Sequence, residues 1–215
     1  MSDERATGII LRIRPLSDTS VIVHWLTSEH GRIATVGKGA RRPTSPFHGR
    51  LDLGFAGDLS FVRARRSSLH TLREINVTAT YPGVRADYRK LVQFSYGVAL
   101  LERSTEEDTP VPEIYGVWAD WLAHLDFHAA QPRTVYALEA RLLASHGFNP
   151  LAAAEPLGDD ARQLLIQLLV APWERVPELV ASAGAIRAVK AFLGLRLSDA
   201  FGRVLETRQQ AVGTL

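Results

Sequence analysis

The hydrophobic period of this 215-residue chain changes once, near Tyr81, and that change constrains its fold more than any other feature. Before Tyr81, apolar side chains recur at every second position in short runs, and after it they recur every three or four positions. A period of two is typical of β-strands and a period of 3.6 is typical of α-helices. The sequence therefore predicts an α+β protein with two domains, residues 1–80 and residues 81–215.

Five short strands are predicted in the first 80 residues, separated by turn-forming residues. They are Gly8–Arg14, Val21–Leu26, Arg32–Val36, Asp58–Arg66 and Leu69–Val77. The longest connection lies between the third and the fourth strand, which is typical of a five-stranded barrel of the OB type; an SH3-like barrel is the alternative. In the first strand, alternation predicts one face with Ile9, Leu11 and Ile13 and another with Ile10, Arg12 and Arg14.

Apolar stripes at helical spacing predict the helices that follow Tyr81. The first stripe is Leu91, Phe94, Val98 and Leu101, the second is Tyr115, Trp118, Leu122 and Leu125, and the third is Val135, Leu138 and Leu142. Gly147 ends the third helix, and Asp159 begins another that stops before Pro172. The last helix is predicted over Gly184–Leu197, with Arg203 and Arg208 on a polar tail. The second domain is therefore predicted to be all-α.

The composition argues against several classes of protein. The chain has no cysteine, which excludes disulfide frameworks, thiolate zinc sites and cysteine nucleophiles. Residues 1–5 are polar, and no apolar run approaches the roughly 18 residues that a membrane helix needs. These features predict a cytoplasmic protein with no membrane association.

No set of residues forms a convincing catalytic or metal-binding motif. His124 and His128 are four residues apart on a predicted helix, but the glutamate of a zincin motif and a third ligand are missing. A surface pair near a helix end is therefore preferred, and Thr105–Asp108 is interpreted as a solvated loop between helices. His146 follows Ser145 without a nucleophile elbow. The sequence predicts no enzyme, no metal and no cofactor.

Positive charge is concentrated in the first domain. Residues 1–80 contain 12 Lys and Arg against 7 Asp and Glu, a net charge of +5, whereas residues 81–215 carry −3. At the end of the third strand, the segment Gly37-Lys-Gly-Ala-Arg-Arg42 combines three cations with two glycines, and it lacks the Gly-Lys-Ser/Thr triplet of a Walker loop. It is either a contact for phosphates or a solvated basic turn.

Eleven basic residues of the predicted barrel, Arg73 and the ten named below, together indicate nucleic-acid binding more strongly than any one of them does alone. Aromatic residues for stacking are few, with only Trp25, Phe47, Phe55 and Phe61 available. Binding is therefore expected to depend on phosphates and to have low sequence specificity. The candidate DNA contacts are Arg12, Arg14, Arg32, Lys38, Arg41, Arg42, Arg50, Arg63, Arg65 and Arg66.

Several of these segments resemble the bacterial RecO family of recombination mediators. They are Gly8–Arg14, Leu26-Thr27, Gly31-Arg32, Gly37–Pro43 with Ser45, Leu142-Leu143 with Gly147–Pro150, and Leu193–Ser198. The resemblance implies an OB fold followed by a helical domain, with Lys38, Arg41 and Arg42 as DNA contacts. It also implies a nucleoid-associated protein that binds single- and double-stranded DNA and anneals strands without ATP.

Two protein partners are also implied by this resemblance: RecR, with which recombinase is loaded, and the tail of single-stranded DNA-binding protein. The tail is acidic and ends in an aromatic residue. The candidate partner contacts are therefore Trp121 and four cations: Arg133, Arg141, Arg187 and Lys190. The ring of Trp121 is expected either to fill the core, which is favoured, or to be partly exposed on a docking surface.

The chain departs from many relatives in one segment. Those relatives have a four-cysteine zinc module where this chain has Leu151–Gly158, so zinc binding is not implied. The alternatives to a recombination mediator are an RNA-binding OB protein of another pathway and a protein–protein adaptor whose basic barrel is incidental.

Overall fold

A computed structural model of the chain describes residues 3–202 and 205–213. The chain forms two compact units. The first, which we call the barrel unit, contains the residues up to Pro82 together with Thr105–Gly116. The second, the helical unit, contains Gly83–Ser104 and the chain from Val117 onward. The sequence predicts all of residues 81–215 in the second domain, whereas by its contacts Thr105–Gly116 groups with the barrel.

The barrel unit is a closed five-stranded barrel. Its strands are β1 (Asp3–Pro15), β2 (Val21–Thr27), β3 (Gly31–Gly37), β4 (Ala56–Val62) and β5 (Leu69–Ala79). They follow the order β1-β2-β3-β5-β4, and every neighbouring pair is antiparallel except β3 and β5, which are parallel. The α+β class and the OB-type barrel are thus confirmed.

A β-bulge at Leu11 overturns the predicted faces of the first strand. Ile10 pairs with Trp25 and Arg12 pairs with His24, so Leu11 has no partner of its own on β2. The extra residue reverses the alternation beyond it. As a result Ile10 and Ile13, which were predicted on opposite faces, share the inner face: Ile10 lies in the barrel core, and Ile13 is partly buried against it.

The barrel core is built around Trp25, which is fully buried. Its Nε1 donates a hydrogen bond of 2.8 Å to the buried Oγ1 of Thr35 on β3, which satisfies the indole. Phe61 of β4 and Phe47, from the connection between β3 and β4, pack in the same cluster. The long connection therefore supplies part of the core.

The helical unit is built around a buried central helix. The helices of the chain are α1 (Pro82–Ala86), α2 (Tyr88–Ser104), α3 (Pro112–Phe127), α4 (Pro132–Ser145), α5 (Asp159–Val170), α6 (Ala183–Phe201) and α7 (Thr207–Val212). Short 3₁₀ turns cover Pro150–Ala153 and Trp173–Glu178. Helix α4 is buried along most of its length and packs against α5, α6 and α7.

Most of the predicted helix signals are confirmed, and α5 begins at Asp159 as expected. Gly147 has a φ of +81° just after α4, and its N–H donates to the carbonyl of Ala144, which closes the helix end. Within residues 3–202 and 205–213, none of the helices combines the length and the apolar content that crossing a bilayer requires.

Two side chains of the helical unit, Arg208 and His124, are buried where the sequence predicted exposure, and Trp121 takes the core position that the sequence favoured. Arg208 lies in α7 and not on a polar tail, and it bonds to the buried carboxylate of Glu139. His124 is buried, so the predicted surface pair is wrong, although His128 is exposed. Trp121 is fully buried against Trp118, with ring centroids 5.1 Å apart. Arg203 lies outside the described residues.

Candidate nucleic-acid interface

The strand directions place the barrel's connections at two opposite ends. Because β1, β3 and β5 run one way and β2 and β4 the other, the β1–β2 and β3–β4 connections share one end. The β2–β3 and β4–β5 connections share the other end. The ten predicted DNA contacts are therefore divided, with Arg32, Arg63, Arg65 and Arg66 separated from the rest.

The segment Gly37–Arg42 forms a compact turn at the first end. Gly39 has a φ of +68°, a conformation that favours glycine, and Arg42 N donates to its carbonyl. The turn is fastened to the β1–β2 connection, since Arg41 N donates to Thr19 O at 3.0 Å and Gly39 N donates to Ser20 Oγ at 3.2 Å. Arg41 Nη1 also donates to Ser17 O.

The glycines of this turn shape its backbone and do not leave its amides free for a ligand. The backbone N–H groups of Gly39, Ala40, Arg41 and Arg42 all donate within the protein. A Cβ on Gly37 would lie 3.2 Å from the Cβ of Ala40, so this glycine serves close packing. Any contact with phosphate must come from the side chains.

The first end, which we call the cationic end, carries a strong excess of positive charge. The two connections and the adjoining part of β1 contain six cations against the carboxylates of Asp18 and Asp52. Arg12 is partly buried. The other five are exposed and form no ion pair within the part of the chain that the structure describes: Arg14, Lys38, Arg41, Arg42 and Arg50.

The opposite end is neutralised by the protein itself. Arg32 donates from Nε to Thr105 Oγ1 at 2.9 Å and from Nη2 to Thr105 O at 2.8 Å. Arg63 Nε donates to both carboxylate oxygens of Glu4, at 2.8 and 3.0 Å, and its Nη1 contacts Asp108 Oδ1 at 2.5 Å. Two of the four cations predicted here are thus engaged in the folded protein.

The pKa values at this opposite end follow from those contacts. The hydrogen bond from Arg63 lowers the pKa of Glu4 below its usual value. Burial alone would raise the pKa of Asp108, but the hydrogen bond and the charge of Arg63 outweigh it and lower that pKa. Glu4, Asp108 and Arg63 are therefore all charged at neutral pH. Arg65 and Arg66 remain exposed beside them.

A groove of about 730 Å³ runs along β1, β4 and β5. Its lining includes Arg5, Arg50 and Arg73 together with the carboxylates of Glu29 and Asp58. The sequence reasoning missed Arg5, because the first strand begins at Asp3 and not at Gly8. The mixed charge of this groove makes it a weaker candidate for phosphate binding than the cationic end.

The barrel offers few aromatic rings for stacking. Trp25 and Phe61 are fully buried, Phe47 is only 7% exposed, and Phe55 packs against the barrel core. Base stacking gives single-strand binders much of their preference for unpaired nucleotides. The barrel surface therefore combines exposed cations with few aromatic rings on which bases could stack.

Most of the predicted partner contacts are engaged within the helical unit. Arg133 donates to Pro177 O, and Arg141 donates to Leu168 O and Ala171 O while its guanidinium stacks on Trp173. Burial lowers the pKa of Arg141. The ring of Trp121 fills the core, as the favoured interpretation of the sequence had it, so the alternative of partial exposure is wrong. Of the five candidates, Arg187 is exposed and Lys190 is partly buried.

The two histidines four residues apart do not form a metal site with a third ligand. Among the described residues, no group of three His, Asp or Glu side chains is close enough to hold an ion. The rings of His124 and His128 are stacked, with centroids 4.2 Å apart. Burial and the neighbouring His128 lower the pKa of His124 to about 4. The ring is therefore neutral at physiological pH.

Comparison with known proteins relates both units to one family. The family described as "Recombination protein O N terminal" matches residues 1–81, and "Recombination protein O C terminal" matches residues 85–154. Similar proteins include those named DNA repair protein RecO from Pelobacter propionicus, 29% identical over 77% of this chain, Gloeothece citriformis, 34% over 68%, and Bacillus subtilis, 27% over 68%. These matches span 69%, 52% and 56% of the respective relatives, so the chain matches about half to two thirds of their length.

Proposed function

Because this chain belongs to the RecO family, we propose that it is a DNA repair and recombination mediator that binds single- and double-stranded DNA through the cationic end of its barrel. RecO is a family of mediators and not of catalysts. The observation that carries the proposal is the grouping of exposed, unpaired cations on Arg14 and on the ordered turn of Lys38, Arg41 and Arg42. Such side chains displace condensed counterions from DNA, which favours binding without sequence readout.

The proposal extends to strand annealing without ATP. Two complementary strands repel each other until part of their charge is neutralised, and a cationic surface supplies that neutralisation without a chemical step. The poor supply of exposed rings on the barrel supports this reading, because bases that are not stacked on protein remain free to pair.

The test is a pair of matched double variants. Arg41→Ala/Arg42→Ala removes two cations from the cationic end, and Arg65→Ala/Arg66→Ala removes two from the neutralised end. Titration of fluorescent DNA at several salt concentrations should show that the first variant flattens the salt dependence of log K by about one to two units. The second variant should change it by less than half as much. Equal effects of the two variants would contradict the assignment of the interface.

The same titration separates the alternatives. A preference for structured RNA over single-stranded DNA would favour an RNA-binding protein of another pathway. Binding that is absent or independent of salt would favour an adaptor whose basic barrel is incidental.

Two protein partners complete the proposal: RecR, for loading of recombinase, and the acidic tail of single-stranded DNA-binding protein. For the tail we propose a small, mainly apolar pocket of about 190 Å³ in the helical unit. Its lining includes Phe148, Pro150 and Ala153 together with the ion pair of Arg196 and Asp199. Phe148 is 49% exposed, which leaves an aromatic surface for an aromatic end group. Calorimetry with the tail peptide tests this site, and Phe148→Ala should abolish the heat of binding while Arg89→Ala, which removes an exposed cation of α2, should not.

A further inference from the structure

The segment Thr105–Thr109, which the sequence presents as a solvated loop, is bound along the neutralised end of the barrel. Asp108 N donates to Arg32 O at 3.0 Å, and Glu107 forms a parallel bridge with Arg32 at the start of β3. Thr105 is buried and accepts two hydrogen bonds from the Arg32 guanidinium through its carbonyl and one through Oγ1. We call Thr105–Thr109 the acidic strap.

Gly31 allows the strap to lie this close. A Cβ at Gly31 would stand 1.8 Å from the carbonyl oxygen of Thr109, and the residue also has a φ of +66°. Only glycine meets both conditions without displacing the strap. The position of the strap is thus fixed by backbone contacts at Gly31 and Arg32 and not only by its charges.

The strap brings three consecutive carboxylates to a surface that would otherwise be cationic. Arg32, Arg63, Arg65 and Arg66 supply four positive charges at this end of the barrel. Glu106, Glu107 and Asp108 are exposed there, and Asp108 is bound to Arg63. With Asp3, Glu4 and Glu29 they make six carboxylates at this end, against five cations once Arg5 of β1 is included.

We propose that the acidic strap masks a second nucleic-acid contact surface, formed by Arg63, Arg65 and Arg66, and so confines binding to the cationic end. The carboxylates occupy the position of DNA phosphates, since Asp108 takes the Arg63 donor that a phosphate oxygen would take. Glu106 and Glu107 repel a strand that approaches Arg65 and Arg66. The ligand class is the phosphate backbone of DNA, and the inference rests on the proposed function.

The test neutralises the strap without removing its backbone contacts. Glu106→Gln/Glu107→Gln/Asp108→Asn keeps the Arg32–Thr105 bonds and the Gly31 approach, so the strap stays in place. Arg65 and Arg66 then no longer face strap carboxylates, and Arg63 regains its Nη1 donor while its Nε stays bound to Glu4. The slope of log K against log salt for oligo-dT should therefore steepen by about two units. Thermal unfolding shows whether the variant remains folded.

The matched control removes three exposed carboxylates elsewhere: Glu113→Gln/Glu155→Gln/Asp159→Asn. It has the same net charge as the strap variant, so it should tighten binding slightly and leave the slope unchanged. Equal slopes for the two triple variants would overturn the proposal. A gain that survives the further change of Arg65→Ala/Arg66→Ala would also overturn it, because the unmasked cations would then not be the cause.

Failure of the proposed function gives a different result. If wild-type protein shows no salt-dependent binding and Arg41→Ala/Arg42→Ala has no effect, the cationic end is not an interface. A steepened slope in the strap variant would then still report the masked surface. If the wild type binds as proposed but the strap variant shows the same slope of log K against log salt, only the inference about the strap is wrong.

Discussion

Arg208 of α7 donates two parallel hydrogen bonds of 2.7 Å to the carboxylate of Glu139 on α4, and both side chains are buried. Tyr96 of α2 donates a third bond of 2.6 Å to the same carboxylate, and Arg208 also donates to Lys190 O of α6. Burial alone would lower the pKa of Arg208, but the bonds to Glu139 outweigh it and raise that pKa. Four helices thus meet at one buried ion pair.

Removing one partner of this pair should be far more damaging than removing both. Glu139→Gln leaves the Arg208 charge buried and unpaired, and we expect it to lower the free energy of unfolding by about 3–5 kcal/mol. Glu139→Leu/Arg208→Met replaces both charges with apolar groups and should cost less than Glu139→Gln alone. Urea unfolding of the variants gives the comparison, and a double variant less stable than Glu139→Gln would contradict it.

Two helical glycines should respond in opposite directions to alanine. A Cβ at Gly97 of α2 would lie 2.5 Å from Cζ3 of Trp118, inside the packed core, whereas a Cβ at Gly116 of α3 would meet nothing within 4 Å. Gly116→Ala should raise stability by about 0.5–1 kcal/mol through helix propensity. Gly97→Ala should instead lower it by about 1–3 kcal/mol through overpacking. The melting temperatures of the two variants and the wild type give the comparison. A higher melting temperature for both variants would show that Trp118 can move to make room for the added methyl group.

The buried His124 should make the protein less stable in mild acid. Burial holds its pKa at about 4, against 6.5 for an unperturbed histidine. Between these two pH values His124 binds a proton in the unfolded chain but not in the native protein. Stability is therefore complete above about pH 6.5 and falls as the pH drops toward 4. Between pH 7.5 and pH 5 this group should remove about 2 kcal/mol.

His124→Phe is the matched variant, since it keeps an aromatic ring against His128 and Trp173. Its free energy of unfolding should vary less between pH 7.5 and pH 5 than that of the wild type. Burial also lowers the pKa of His146, so part of the pH dependence will remain in the variant. Identical pH profiles for variant and wild type would show that His124 is protonated in the native state.

Annealing should proceed with a chelator present and with no nucleotide, and it should decline steeply as salt rises. The decisive substrate is a pair of complementary strands already coated with their cognate single-stranded DNA-binding protein. A charge-matched basic protein is the control and should accelerate annealing only on bare strands. If this protein gives no acceleration on coated strands, the mediator proposal fails and general basic binding remains.

The strand and helix pattern could be predicted from local sequence because it depends on local periodicity. The β-branched run Val21–Leu26 and the apolar stripes after Tyr81 each contain their own signal. The bulge at Leu11 could not be foreseen, since it depends on how β1 pairs with a separate strand. One extra residue was enough to turn Ile13 to the same face as Ile10, where it packs against the core.

The candidate interface was predicted only in part, and for a similar reason. The cations were identifiable by type, but their division between two barrel ends depends on strand direction. Arg63 was predicted as a DNA contact from its charge and its place on the barrel. Its partner Asp108 could not be recognised, because it lies 45 residues away in the chain. Likewise, nothing near Arg208 in sequence indicates the buried carboxylate of Glu139, 69 residues earlier.

The turn that carries Lys38, Arg41 and Arg42 has a consequence for the thermodynamics of binding. Its amides already donate to Gly37 O, Gly39 O, Thr19 O and Ser20 Oγ in the free protein, so the backbone entropy is lost on folding and not on association. Only side-chain rotamers are left to be ordered by a ligand. These amides should therefore exchange with deuterium slowly for a loop, and nearly as slowly without DNA as with it.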